Sequence, residues 1–151
     1  MKAPRTPVQS YALVVGAILA IGGLIALVTG STDFGTVSGG AGQNFIIWNV
    51  SGWETILYMG LGALGVLSAS RVENARTFAL TSGLVFAAMA IWGWIDGDDV
   101  VSIFAIDTTD NITYSILGAA GLLLGVTPKP LQGKVGLRPA NRGHGGHTTQ
   151  A

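Results

Sequence analysis

No lysine or arginine occurs between Arg5 and Arg71 or between Arg76 and Lys129, and the apolar residues of these stretches gather into four blocks. The blocks cover residues 11–28, 53–69, 77–95 and 111–126 approximately, and the first runs without a single charge. Each approaches the roughly 20 residues that a helix needs to cross a hydrocarbon layer. A chain with 49% hydrophobic and 11% charged residues, 23 glycines and a mean hydropathy of +0.53 departs from an ordinary soluble domain in the same direction. The expected fold is therefore all-α, with four transmembrane helices in an up-down bundle. Pro128 and Pro130 end the last helix, because proline lacks the amide donor and restricts the residue before it. A basic start followed by an apolar run also fits a cleaved signal peptide. The length of the first block and the lack of an A-x-A-like closing site favour a retained anchor.

Orientation follows from the cations. Lys2 and Arg5 precede the first block, Arg71 and Arg76 lie between the second and third, and Lys129, Lys134, Arg138 and Arg142 follow the fourth. All eight fall on one side of a four-span arrangement, which the positive-inside rule makes cytoplasmic. Asp33, Glu54, Asp96, Asp98, Asp99, Asp107 and Asp110 sort to the other side, with only Glu73 inside. The expectation is a multi-pass protein of the cell membrane with both termini cytoplasmic. Residues 1–10 form a cytoplasmic segment, 11–127 the transmembrane domain and 128–151 a disordered tail too poor in apolar residues to fold alone. His144 and His147 in that tail offer two ligands on a flexible chain, a weak metal site. The chain has no cysteine, which removes disulfides and thiolate chemistry, and its zero net charge argues against nucleic-acid binding.

The second and fourth blocks align. Glu54-Thr55-Ile56-Leu57-Tyr58 lies on Asp110-Asn111-Ile112-Thr113-Tyr114, and Gly62 and Gly65 fall on Gly118 and Gly121. The first block lies more loosely on the third, with Tyr11-Ala12-Leu13, Gly16 and Ala20 facing Phe78-Ala79-Leu80, Gly83 and Ala87. Together these matches point to a duplicated helical hairpin whose two copies run parallel, related by a pseudo-twofold axis along the membrane normal. The duplication puts Glu54 with Asp110, Thr55 with Asn111 and Tyr58 with Tyr114. Carboxylate and phenol, four residues apart, share one helix face. Gly62, Gly65, Gly118, Gly121 and Gly125 read as helix-packing positions, the last two forming a GxxxG. The tyrosines read either as interfacial anchors or as part of an inward polar cluster. Glu54 and Asp110, the ionisable groups nearest the bundle interior, read as functional carboxylates or as helix N-terminal caps.

The segment Asp107-Thr108-Thr109-Asp110-Asn111-Ile112-Thr113-Tyr114-Ser115-Ile116-Leu117-Gly118 resembles the domain-of-unknown-function 4383 family of small prokaryotic four-span membrane proteins. The likeness covers about residues 6–126. It implies a four-span fold and carries no assigned activity. The family pattern is an Asp-Asn pair, a histidine three residues on and a glycine four further. Asp110, Asn111 and Gly118 match, whereas Tyr114, and Tyr58 in the second block, stand where the family usually has histidine. No heme-, metal- or proton-linked role of a histidine carries over. Tyrosine keeps a hydrogen bond but titrates near pH 10.

The outer acids Asp96, Asp98, Asp99, Asp107 and Asp110 lack EF-hand spacing and read as a solvated acidic loop, with cation sensing as the weaker reading. Trp48, Trp53, Trp92 and Trp94 gather at the outer boundary as an aromatic belt. The apolar run of residues 100–106 is too short to span, and is expected to lie along the interface or cap the bundle. There is no G-x-S-x-G, P-loop or H-E-x-x-H, so no catalytic residue, cofactor or metal site is expected. The function expected is that of a non-enzymatic membrane protein, structural or an assembly subunit. Its partners would be the lipid bilayer and a second copy or another membrane protein. The alternative is a binder or transporter of a small molecule, with an outward cavity between the hairpins lined by Glu54, Tyr58, Asp110, Asn111 and Tyr114.

Overall fold

A computed structural model describes residues 5–29, 34, 43–45, 48–96, 99–100 and 104–127. Over these residues the chain forms helix α1 (Pro7–Thr29), strands β1 (Gln43–Phe45) and β2 (Trp48–Val50), and helices α2 (Gly52–Ser68) and α3 (Val72–Asp96). Strands β3 (Asp99–Val100) and β4 (Phe104–Ala105) and helix α4 (Thr108–Val126) follow. The strands make two antiparallel pairs: Phe45 opposes Trp48 in the first, and Val100 opposes Phe104 in the second. Residues 30–33, most of 35–47, 97–98 and 128–151 include Asp33, Asp98, His144 and His147, so the readings made on those side chains fall outside the described residues.

Local chemistry sets the helix starts. At α1, Pro7 occupies the first helical position, where its missing amide costs nothing. Thr6 and Gln9 bond reciprocally around it: Thr6 N donates to Gln9 Oε1 (3.1 Å) and Gln9 N to Thr6 Oγ1 (3.4 Å). That is a capping box, and it starts the helix inside the segment read as a cytoplasmic extension. Helix α3 likewise starts at Val72, ahead of the apolar block, because Glu73, Asn74 and Arg76 are as acceptable on a helix as apolar residues. A short turn joins it to α2, closed by Arg71 N donating to Ser68 O (3.3 Å). At the end of α4, Thr127 turns extended (ψ 123°), as a residue before proline does.

Two helices, α1 and α3, are long and apolar enough to cross a membrane by length and composition. Helix α2 has 17 residues, a length of about 26 Å at the usual rise. The closest packing is of α1 along α2 and of α3 along α4. Glycine makes both seams possible. A Cβ on Gly65 would lie 2.7 Å from Gly16 Cα, and one on Gly121 would lie 2.9 Å from Gly83 Cα. Gly62 is in similar backbone contact with Ala20 and Gly118 with Ala87, while at Gly125 it is the Leu80 side chain that lies closest. The pairs then interlock through two aromatic rings. Tyr11 of α1 lies over Gly121 of α4 and donates to Leu117 O (3.0 Å), while Phe78 of α3 lies over Gly65 of α2. Their ring centroids are 6.4 Å apart. Phe86, Met89, Ala90, Ile106 and Tyr114 continue the core toward the strand end, and Phe104 packs against it.

Candidate functional site

Helices α2 and α4 both begin with a side-chain cap that aims a carboxylate back at its own start. Ser51 caps α2: Glu54 N donates to Ser51 Oγ (3.3 Å), and Ser51 N donates to Glu54 Oε2 (2.8 Å). Asp107 caps α4: Asp110 N donates to Asp107 Oδ1 (2.8 Å), and Asp107 N donates to Asp110 Oδ2 (3.2 Å). Each carboxylate thus satisfies an orphan amide of a first turn and stands at the positive end of a helix dipole. Thr55 follows Glu54 inward and donates from Oγ1 to Ser51 O (3.1 Å).

One further step joins the two helices. Glu54 has a second carboxylate oxygen, Oε1, which accepts from the Tyr114 hydroxyl (3.1 Å). The Tyr114 hydroxyl is also in hydrogen-bond contact with the Tyr58 hydroxyl. A phenol has one proton, so with Tyr114 donating to Glu54 it is Tyr58 that donates to Tyr114. The result is a directed chain from Tyr58 through Tyr114 to Glu54, running from α2 to α4 and back. Glu54 is 0% exposed and Tyr114 2%, while Tyr58 is half-buried. Phe86 of α3 stacks on the Tyr114 ring at 5.6 Å and 17°, which fixes the plane in which the hydroxyl points. Tyr114 is therefore an interior residue, and the reading of it as an interfacial anchor does not hold.

Asn111 takes a different neighbour. Its side chain lies against Gly93 of α3, where any Cβ would overlap the amide, and its Oδ1 is buried without a hydrogen-bond partner among the described residues. Its backbone carbonyl accepts from Ser115 Oγ (2.7 Å), and that oxygen accepts from Trp94 Nε1 (3.3 Å). Of the six polar residues singled out, Glu54, Tyr58 and Tyr114 are thus linked to one another. Thr55 and Asp110 bond within their own helix starts, and Asn111 faces α3. The five glycines lie in the helix seams, away from this cluster. Trp53, Trp92 and Trp94 are exposed at the same end. Among the described residues no three His, Asp or Glu side chains gather as a metal site.

Ser51, Phe86 and Gly93 were not anticipated. The spacing S-x-x-E at Ser51 and D-x-x-D at Asp107 was the available signal for the caps. Nothing local marks Phe86 or Gly93, whose roles arise from contacts with a helix distant in sequence. No match was found among curated proteins or among solved structures. The family described as Domain of unknown function (DUF4383) matches residues 9–127, which hold all four helices but the first two residues of α1. The match covers most of the chain, and the protein belongs to that family.

Proposed function

We propose that the protein is a non-enzymatic integral protein of the cell membrane. Four spans form two parallel hairpins, and it acts through contacts with lipid and with a second copy or another membrane protein. One observation carries this reading: all four helices turn large apolar side chains outward, while Glu54, Thr55, Ser82, Asp110 and Asn111 are buried between them. Val28, Leu67, Ile95 and Leu123 are 78%, 71%, 81% and 66% exposed, and Glu54, Ser82 and Asp110 are each 0% exposed. In water that surface would be an aggregation hazard; in hydrocarbon it is the expected one. The short α2 fits a span whose ends are adjusted by local thinning of the bilayer.

The hairpin duplication is supported by contacts that map onto one another. In the register that lays Glu54 on Asp110 and Tyr11 on Phe78, the Gly16–Gly65 and Ala20–Gly62 contacts become Gly83–Gly121 and Ala87–Gly118. Tyr11 over Gly121 becomes Phe78 over Gly65. Gln9 Nε2 donating to Ala69 O (3.1 Å) becomes Arg76 Nε donating to Gly125 O (3.2 Å). The strands β1 and β2 fall in position on β3 and β4, with the pairing shifted by one residue. A twofold relation along the membrane normal accounts for all of these.

Topology tests the reading directly, because the chain has no cysteine of its own. In intact cells, Thr108→Cys should react with a membrane-impermeant maleimide, and Ser70→Cys should react only after lysis. Equal labelling of both in intact cells would refute four spans. The convergence of Tyr58, Tyr114 and Glu54 favours a second reading, a small-molecule site between the hairpins. A non-lipid mass retained in native mass spectra, and lost on Tyr58→Phe with Tyr114→Phe, would establish it.

A further inference from the structure

We infer that the groove between α2 and α3, near the turn that joins them, binds an anionic phospholipid of the inner leaflet. The inference rests on the four-span reading, which puts this turn on the cytoplasmic side. The groove has a volume of about 250 Å³ and is lined by Leu64, Ser68, Asn74, Thr77, Phe78 and Thr81. Its lining is graded. Asn74 is nearest the turn in sequence on the α3 side, and Thr77, Phe78 and Thr81 follow it into the span, over about 10 Å of helix. On α2, Ser68 is at the turn end and Leu64 one turn deeper. That order matches a phospholipid, with its headgroup at the boundary, then the ester carbonyls, then the acyl chain.

Charge complements the gradient. Arg71, on the turn itself between Ser68 and Asn74, is exposed, whereas Arg76, the other cation between the second and third apolar blocks, is engaged by Gly125 O through Nε and Nη2 (both 3.2 Å). Arg71 and the Asn74 amide supply donors for a phosphate, and the Ser68 hydroxyl supplies one for an ester carbonyl. Thr77 and Thr81 donate to carbonyls of their own helix, so their hydroxyl oxygens face the groove as acceptors only. The proposed duplication provides an internal comparison. The positions related to Ser68, Asn74 and Thr81 are Leu124, Pro7 and Val14. Helix packing at the equivalent place is thus satisfied without these polar groups. Their presence between α2 and α3 has a different cause, and a bound lipid supplies it.

The test uses the full chain, purified in mild detergent and offered phosphatidylglycerol and phosphatidylcholine of identical acyl chains at equal concentration, with bound lipid read by native mass spectrometry. The wild type should retain phosphatidylglycerol preferentially. Arg71→Ala combined with Asn74→Ala should lower that retention about fivefold, the scale set by one basic group beside an anionic headgroup. Because both residues are exposed, the melting temperature should not move. Ser10→Ala, at the position of α1 related to Thr77, should retain lipid as the wild type does. Equal retention of the two lipids, an unchanged double variant, or the same loss in Ser10→Ala overturns the inference. So does a second protein copy in place of the lipid. Maleimide labelling at Ser70→Cys reports separately on the span reading, so a failure of topology is told apart from a failure of lipid recognition.

Discussion

In the α1–α2 pair the last turn of α2 is held by a neutral amide, Gln9 on Ala69 O, whereas in the α3–α4 pair a guanidinium, Arg76, does the same on Gly125 O. The caps differ in the same manner: a serine with a glutamate at α2, an aspartate with an aspartate at α4. Thr55 bonds to its own cap carbonyl, but Asn111 in the related position presses into Gly93. The seams, in contrast, are nearly identical, with glycine meeting glycine and glycine meeting alanine in both pairs. Backbone separation leaves no latitude at a seam, since a single methyl group collides. A hydrogen bond requires only a donor and an acceptor at a suitable distance, so several residue types serve. The comparison separates what the architecture demands from what each half can vary.

The largest effect should come from the seams. Gly65→Leu and Gly121→Leu each should cost about 3 kcal/mol by overpacking, read as the unfolding midpoint in detergent. Gly60→Leu, where a Cβ meets nothing within 4 Å, should be tolerated. Tolerance of one seam variant but not the other would break the equivalence of the pairs. The carboxylates come next. Glu54→Ala removes a cap and an interhelical acceptor together and should cost about 2 kcal/mol, against about 1 kcal/mol for Asp110→Ala, which removes a cap. The reverse order would place the link between the pairs on the wrong carboxylate.

Tyr114→Phe should cost about 1 kcal/mol, and Tyr58→Phe about half of that, because Tyr114 joins two partners and Tyr58 one. In a double-mutant cycle, Tyr114→Phe should couple to Glu54→Gln and not to Asp110→Asn, which sharpens the assignment of the chain of hydroxyls. The smallest change makes the halves alike. Arg76→Gln gives α4 the neutral cap of α2 and should cost about 0.5 kcal/mol, the contribution of a cation at a helix C-terminus.

Much of this arrangement is written locally. The starts of α2 and α4 follow from hydrogen bonds that span three residues, and the apolar blocks and the matching of Glu54-Tyr58 with Asp110-Tyr114 are visible without any knowledge of contacts. Helices α1 and α3 begin ahead of their apolar blocks, because hydropathy marks where a helix would enter lipid and not where it begins. The segment of β3 and β4 reads as an apolar run and not as a strand pair, since two residues a strand are too few to show an alternating pattern.

Readable from the chain alone are therefore the set of helices, the caps of α2 and α4, the absence of cations from the apolar blocks and the family. These depend on interactions within a few residues or on composition. The packing of the helices is what puts Tyr114 inside, bonds it to Glu54 and not to Asp110, and makes room for Asn111 at Gly93. Which face of a helix meets which neighbour depends on the rotation and crossing of helices whose contacts are separated by scores of residues, as the Glu54–Tyr114 pair is. That rotation is set by how closely glycine backbones can approach, a property of pairs of helices and of neither helix alone.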